Sequence, residues 1–137
     1  MGVALIEWSD SLSVSIKEID EQHRTLVGLL NSLFDAMKAG KGKDVLGRVL
    51  SDLVNYTVYH FATEEKLFKT YSYPDTVKHK QEHEYLTKKA SDLRNQFDKG
   101  DAVITVEVMQ FLKTWLSGHI MGVDKKYSPF LRGKGLS

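Results

Sequence analysis

Five histidines, His23, His60, His79, His83 and His119, all sit on apolar stripes of helical repeats, in a chain that has no cysteine. This pattern constrains the fold more than anything else in the sequence. An imidazole on a polar face can be left to water, but one on an apolar face is buried. Each of its two ring nitrogens then needs a partner. One such residue is an ordinary hydrogen-bonded core histidine. Five in a small core are better satisfied by metal, which takes one nitrogen from each. Without thiolates, the remaining ligands must be nitrogen or oxygen.

The stripes themselves are helical. Ile16, Ile19, His23, Leu26, Leu30, Leu33 and Met37 recur at steps of three and four. Gly40 and Gly42 end that pattern, and Asp44 is placed to cap the next helix. A second stripe runs through Leu46, Val49, Leu53, Tyr56, His60, Glu64 and Leu67, and Pro74 stops it. The third runs through His79, His83, Leu86, Ala90, Leu93 and Phe97. Thr105 is placed to cap the fourth, which carries Val108, Leu112, Trp115 and His119 and is expected to end at Ser128–Pro129. Alternation at the strand period is missing. The expected fold is all-α: an antiparallel up-down-up-down four-helix bundle, a single domain over 1–137. Leu5, Ile6 and Trp8 make residues 1–15 an ordered N-terminal arm.

Other classes are disfavoured. A chain of 137 residues can bury a core without staples. Its charge is balanced, with a formal net +1, which argues against a nucleic-acid footprint. No apolar run reaches the roughly 20 residues that span a bilayer, so no membrane contact by this domain is expected. The start, MGVALIEWSD, lacks a basic region followed by a long apolar one, and no signal peptide is expected. The expected location is cytoplasmic.

Spacing then gathers the ligands. His60 and Glu64 share a helix face one turn apart, as do His79 and His83. Asp124 follows His119 by five positions and reaches the same place if the helix end bends inward. His23 stands alone on the first helix. Two octahedral metals that share both carboxylates and one hydroxide as bridges would use all but one of their positions. The open one would take a small ligand such as dioxygen. Imidazole suits iron, copper or zinc better than calcium or magnesium.

Two near misses stand beside these residues. Glu65 is one residue out of register with His60 and is expected to point away from the metals. Glu82 completes HKQEH, an inverted zinc-protease pattern in which it would activate water. That reading leaves His23, His60 and His119 unexplained. A carboxylate-rich di-iron site would need Glu-x-x-His pairs. The nearest approach is Asp20-x-x-His23, where Asp20 better suits a helix cap or support for a ligand.

IEWSDSLSVSIKEIDEQHRTL, HFATEE, HKQEH and HIMGVDKKY together resemble the hemerythrin family, in particular its bacterial domains. The resemblance spans nearly the whole chain and fills every ligand position of the family pattern. Short-loop bundles of this kind include myohemerythrin, so the resemblance implies the same bundle. The resemblance implies two non-heme irons with an oxo or hydroxo bridge. His79, His83 and His119 would hold one, His23 and His60 the other, and Glu64 and Asp124 would bridge them. The two-histidine iron would carry the open position. Leu26, Phe61, Trp115 and Ile120 would line the oxygen pocket, with Trp8 and Tyr127 over its ends.

The implied activity is reversible dioxygen binding, not catalysis. Some bacterial chemotaxis receptors end in a similar domain, which implies oxygen sensing with a covalently linked signalling domain as partner. The alternatives are a free-standing carrier or store and a di-iron enzyme that removes oxygen, peroxide or nitric oxide.

Overall fold

The computed structural model describes residues 5–100 and 106–137. Four long helices carry the chain: α1 (Lys17–Lys38), α2 (Lys43–Tyr71), α3 (Thr76–Asp98) and α4 (Val106–Gly122). A 3-10 turn (Asp124–Tyr127) and a short helix, α5 (Ser128–Gly133), follow. No strand occurs among the described residues. Residues 39–42 and 72–75 join the first three helices. Links this short make neighbouring helices antiparallel. α1 packs on α2 and α4, and α2 packs on α3. The result is the four-helix bundle expected from the stripes. Among the described residues no helix is long and apolar enough to cross a membrane.

Helix ends depart from expectation in places. α2 begins at Lys43 with Gly42 as its cap, so Asp44 lies inside the first turn and makes no side-chain cap bond. There it favours the positive end of the helix dipole. Ser72 ends α2 in the left-handed conformation, with φ 57°. Pro74 lies in the link that follows. The fourth helix stops at Gly122, well before Ser128–Pro129. Pro129 opens α5 instead, because a first-turn proline loses no helical hydrogen bond. Thr105, expected to cap α4, lies outside the described residues.

The core has two apolar clusters. One includes Leu26, Leu30, Leu53, Phe61, Leu86, Leu112, Trp115 and Ile120. The other includes Ile19, Phe68, Tyr73, Tyr127 and Leu131. On α1 His23 falls between Ile19 of the second cluster and Leu26 of the first, whereas α3 and α4 meet the second cluster only beyond their ends, at Tyr73 and Tyr127.

The N-terminal arm is pinned. Asn31 receives the Ile6 N–H at 3.0 Å and donates to the Ile6 carbonyl at 2.9 Å. Asp20 accepts the Val14 N–H at 2.8 Å and the Ser13 hydroxyl at 2.6 Å. It therefore ties the arm to the start of α1. Trp8 is half-buried against the first cluster, with the Arg24 guanidinium carbon 4.9 Å from the ring centre.

Candidate metal centre

The seven residues singled out by spacing come together between the two clusters. α1 supplies His23, α2 His60 and Glu64, α3 His79 and His83, and α4 His119. Asp124 arrives by a different route. Helix α4 ends, and the 3-10 turn swings the carboxylate inward at a distance regular helix geometry would not give. All seven are buried, and Glu64 and Asp124 fully so.

Each carboxylate faces several imidazoles. Asp124 Oδ1 lies 2.9 Å from His119 Nε2 and 3.0 Å from His79 Nε2, while Oδ2 lies 3.0 Å from His23 Nε2. Glu64 Oε1 lies 3.1 Å from His83 Nε2 and 3.3 Å from His60 Nε2. Two groups of ligand atoms emerge, each within 4.8 Å of one another. The first is Glu64, His79, His83, His119 and Asp124. The second is His23, His60, Glu64 and Asp124. The two carboxylates belong to both.

The donor set fits a metal pair. The Nε2 atoms of His23, His60, His83 and His119 are buried without a hydrogen-bond partner, as are Glu64 Oε1 and Asp124 Oδ2. Each orphaned polar atom costs about 1–3 kcal/mol. Six converging on one space would be prohibitive unless cations used their lone pairs.

The electrostatics prepare those lone pairs. Burial lowers His60 and His83 to about 4, against the opposing pull of Glu64 on His60 and of Glu65 on His83. Both rings are therefore neutral, as ligands must be. Burial also disfavours charge on His119, but Asp124, Glu64 and Glu82 outweigh it and raise that ring. Burial alone would raise Asp124. The surrounding His119, His23 and His79 instead hold its carboxyl well below the usual carboxylate range. Tyr127 is raised well above the ordinary phenol value by burial and by Glu64. It stays protonated and donates its hydroxyl to Glu64 Oε2.

Supporting contacts were only partly visible in the spacing. Gln22 Oε1 lies 2.7 Å from His60 Nδ1, and its amide donates to Thr63 at 3.3 Å. Glu65 does point away from the two groups, yet its Oε2 lies 3.0 Å from His83 Nδ1 on the outer side. Glu82 lies 3.9 Å from His119 Nδ1, also on the outer side. A water-activating role for Glu82 between His79 and His83 is not what this placement allows. Phe61 stacks on His83 with ring centres 3.8 Å apart. Tyr127 is fully buried inside the second cluster, so it supports Glu64 from within and does not lie over the end of the pocket. The signal for Gln22 and Glu65 was their adjacency to the candidate ligands His23 and Glu64. The partner on the facing helix was not readable.

A small cavity of about 10 Å³ adjoins the site, roughly what one water-sized guest needs. Leu26, Phe61, Trp115 and Ile120 line it, and so do Leu86 and Leu116, which the resemblance had not placed there. Of the site residues it touches His23, His60, His119 and Asp124. Trp115 closes one side, its indole N–H donating to the Leu86 carbonyl at 3.2 Å.

Comparison with known proteins agrees with this geometry. Residues 14–131 match the family model described as the hemerythrin HHE cation binding domain. A bacteriohemerythrin of Stenotrophomonas maltophilia is 36% identical, over 92% of this chain and 81% of its own length. One from Methylococcus capsulatus is 33% identical, over 94% of this chain and 98% of its own. A wild-type hemerythrin crystal structure superposes with a TM-score of 0.85 at 34% identity, covering 92% of this chain and 97% of that one. The chain belongs to the hemerythrin family, whose members bind dioxygen at a di-iron centre.

Proposed function

We propose that this chain binds dioxygen reversibly as a single cytoplasmic domain. One iron would be held by His79, His83 and His119, the other by His23 and His60, with Glu64 and Asp124 shared. The open position would face the small cavity. The observation that carries this reading is where the cavity lies. It touches both His23 and His60 but only one of the other three histidines. When bound, the ferrous pair supplies the electrons that dioxygen takes up and returns. The protein provides the rest. Leu26, Phe61, Trp115 and Ile120 present apolar surface that keeps water and stray protons from the guest. Gln22 and Glu65 orient His60 and His83 from behind. Tyr127 holds its proton against Glu64. Apart from the proposed ligands, the cavity lining has no acid or base to drive further chemistry.

The role we favour is sensory. The support is a chain of contacts from the site to the N-terminal arm and the C-terminal turn. Tyr127 bonds Glu64, and the next residue, Ser128, donates to the Val14 carbonyl on the arm at 2.5 Å. A change at Glu64 would be felt at that junction, where a linked signalling domain could read it. A stand-alone carrier or store is the second reading, favoured by the match over nearly all of the Methylococcus relative.

The test pairs iron analysis with spectroscopy. Purified protein should hold a pair of irons per chain. Reduced protein should gain a visible band on oxygenation and lose it when oxygen is removed. A single zinc without iron would overturn the reading. Hydrogen exchange should change around Val14 and Ser128 on oxygenation for a sensor, and stay unchanged for a carrier.

A further inference from the structure

The two groups of imidazoles differ in what stands behind them. On the three-histidine side, His83 Nδ1 has the Glu65 carboxylate at 3.0 Å, and His119 Nδ1 has the Glu82 carboxylate at 3.9 Å. On the two-histidine side, His60 Nδ1 has the neutral Gln22 amide at 2.7 Å. His23 Nδ1 is buried with no hydrogen-bond partner. Anionic support is thus confined to one side of the site.

That difference has a chemical consequence. A carboxylate accepting an imidazole N–H makes the ring a stronger donor through its other nitrogen. A stronger donor stabilises the higher oxidation state of the metal it holds. A neutral amide does this less. We propose that Glu65, with Glu82 as a weaker contributor, makes the three-histidine iron the more easily oxidised of the pair. The inference rests on the di-iron reading above. Glu65 and Glu82 are positioning residues, acting through His83 and His119.

Magnitudes rank the two. The Glu65 contact is within hydrogen-bond distance, whereas Glu82 acts only by its charge. Both carboxylates are partly exposed, 30% for Glu65 and 41% for Glu82, so solvent screens each. Lys80 lies 3.9 Å from Glu65 Oε1 but is itself half exposed and offsets little. Glu65 should dominate.

Glu65→Gln tests this. The amide oxygen can still accept from His83 Nδ1, so ring orientation is kept and only the charge is lost. The experiment is an anaerobic redox titration of the iron-loaded protein that resolves its one-electron steps. The step that sets the first oxidation of the diferrous protein should shift about tenfold toward the reduced form, roughly 59 mV for one electron. The second step should move less, and Glu82→Gln should give a smaller change in the same direction. Gln22→Glu, which puts a carboxylate behind His60, should instead ease the second step. Wild type with a full iron pair and a Glu65→Gln variant with unshifted steps would overturn this inference alone. Failure of wild type to hold two irons would overturn it together with the di-iron reading.

Discussion

Tyr127, on the 3-10 turn, donates its hydroxyl to the carboxylate of Glu64, 63 positions earlier on α2. Both residues are fully buried. The bond satisfies the oxygen of Glu64 that faces away from His60 and His83, and it ties the end of the bundle to the site.

Tyr127→Phe should therefore leave Glu64 Oε2 without its donor. The expected loss is about 1–3 kcal/mol of stability. That corresponds to a fall of several degrees in Tm for a domain of this size. Calorimetry on wild type and variant under the same iron load is the check. An unchanged midpoint would mean that the bond contributes nothing net.

Glu64→Ala and Glu65→Ala should separate sharply. Glu64 belongs to both ligand groups, so its loss should weaken iron binding by more than about 100-fold. Glu65 supports one imidazole from outside, and its loss should cost about 10-fold and leave two irons bound at saturation. Elemental analysis after dialysis against a weak chelator measures this. Equal iron loss in both would contradict the register seen on α2.

Ile120 is fully buried and lines the cavity. Replacing it with Glu would bring a carboxylate to the open side, able to ligate iron or to pass a proton to the guest. Decay of the oxygenated form should quicken by about two orders of magnitude. Ile120→Leu keeps bulk and dryness and should decay like the parent. Stopped-flow absorption of the three proteins decides. A Glu variant as slow as wild type would show that the guest lies elsewhere.

Chelator-stripped protein should lose stability on acidification. His60 and His83 are lowered to about 4 in the fold, below the 6.5 of an unfolded histidine. Between those values the unfolded chain binds more protons, so stability falls as pH drops through that window. Asp124, held low, adds to the loss at still lower pH. His119 is raised and works the other way, its contribution being present below 6.5 and lost at higher pH. Two lowered rings against one raised give a net fall. Urea midpoints measured from pH 7 to pH 4 should decline, and a flat or rising profile would mean that His60 and His83 are not held neutral.

Local periodicity determined much of this protein. A helix repeats every 3.6 residues, so the placement of His23, His60, Glu64, His79, His83 and His119 on inward faces could be read without knowing any neighbour. The same holds for the four helices and the breaks near Gly40 and Pro74. Asp124 was legible only as a condition, because its arrival depends on α4 ending at Gly122 and a tighter turn following. Other features came from tertiary structure alone. Glu65 looked idle by register, yet it meets His83 because α2 and α3 pack with a particular offset. Gln22 meets His60, Tyr127 meets Glu64, and Leu86 and Leu116 complete the cavity for the same kind of reason. Which outer nitrogen faces which partner is set by how whole helices slide and rotate against one another. That is decided by packing the two apolar clusters at once, and no short stretch of sequence contains it.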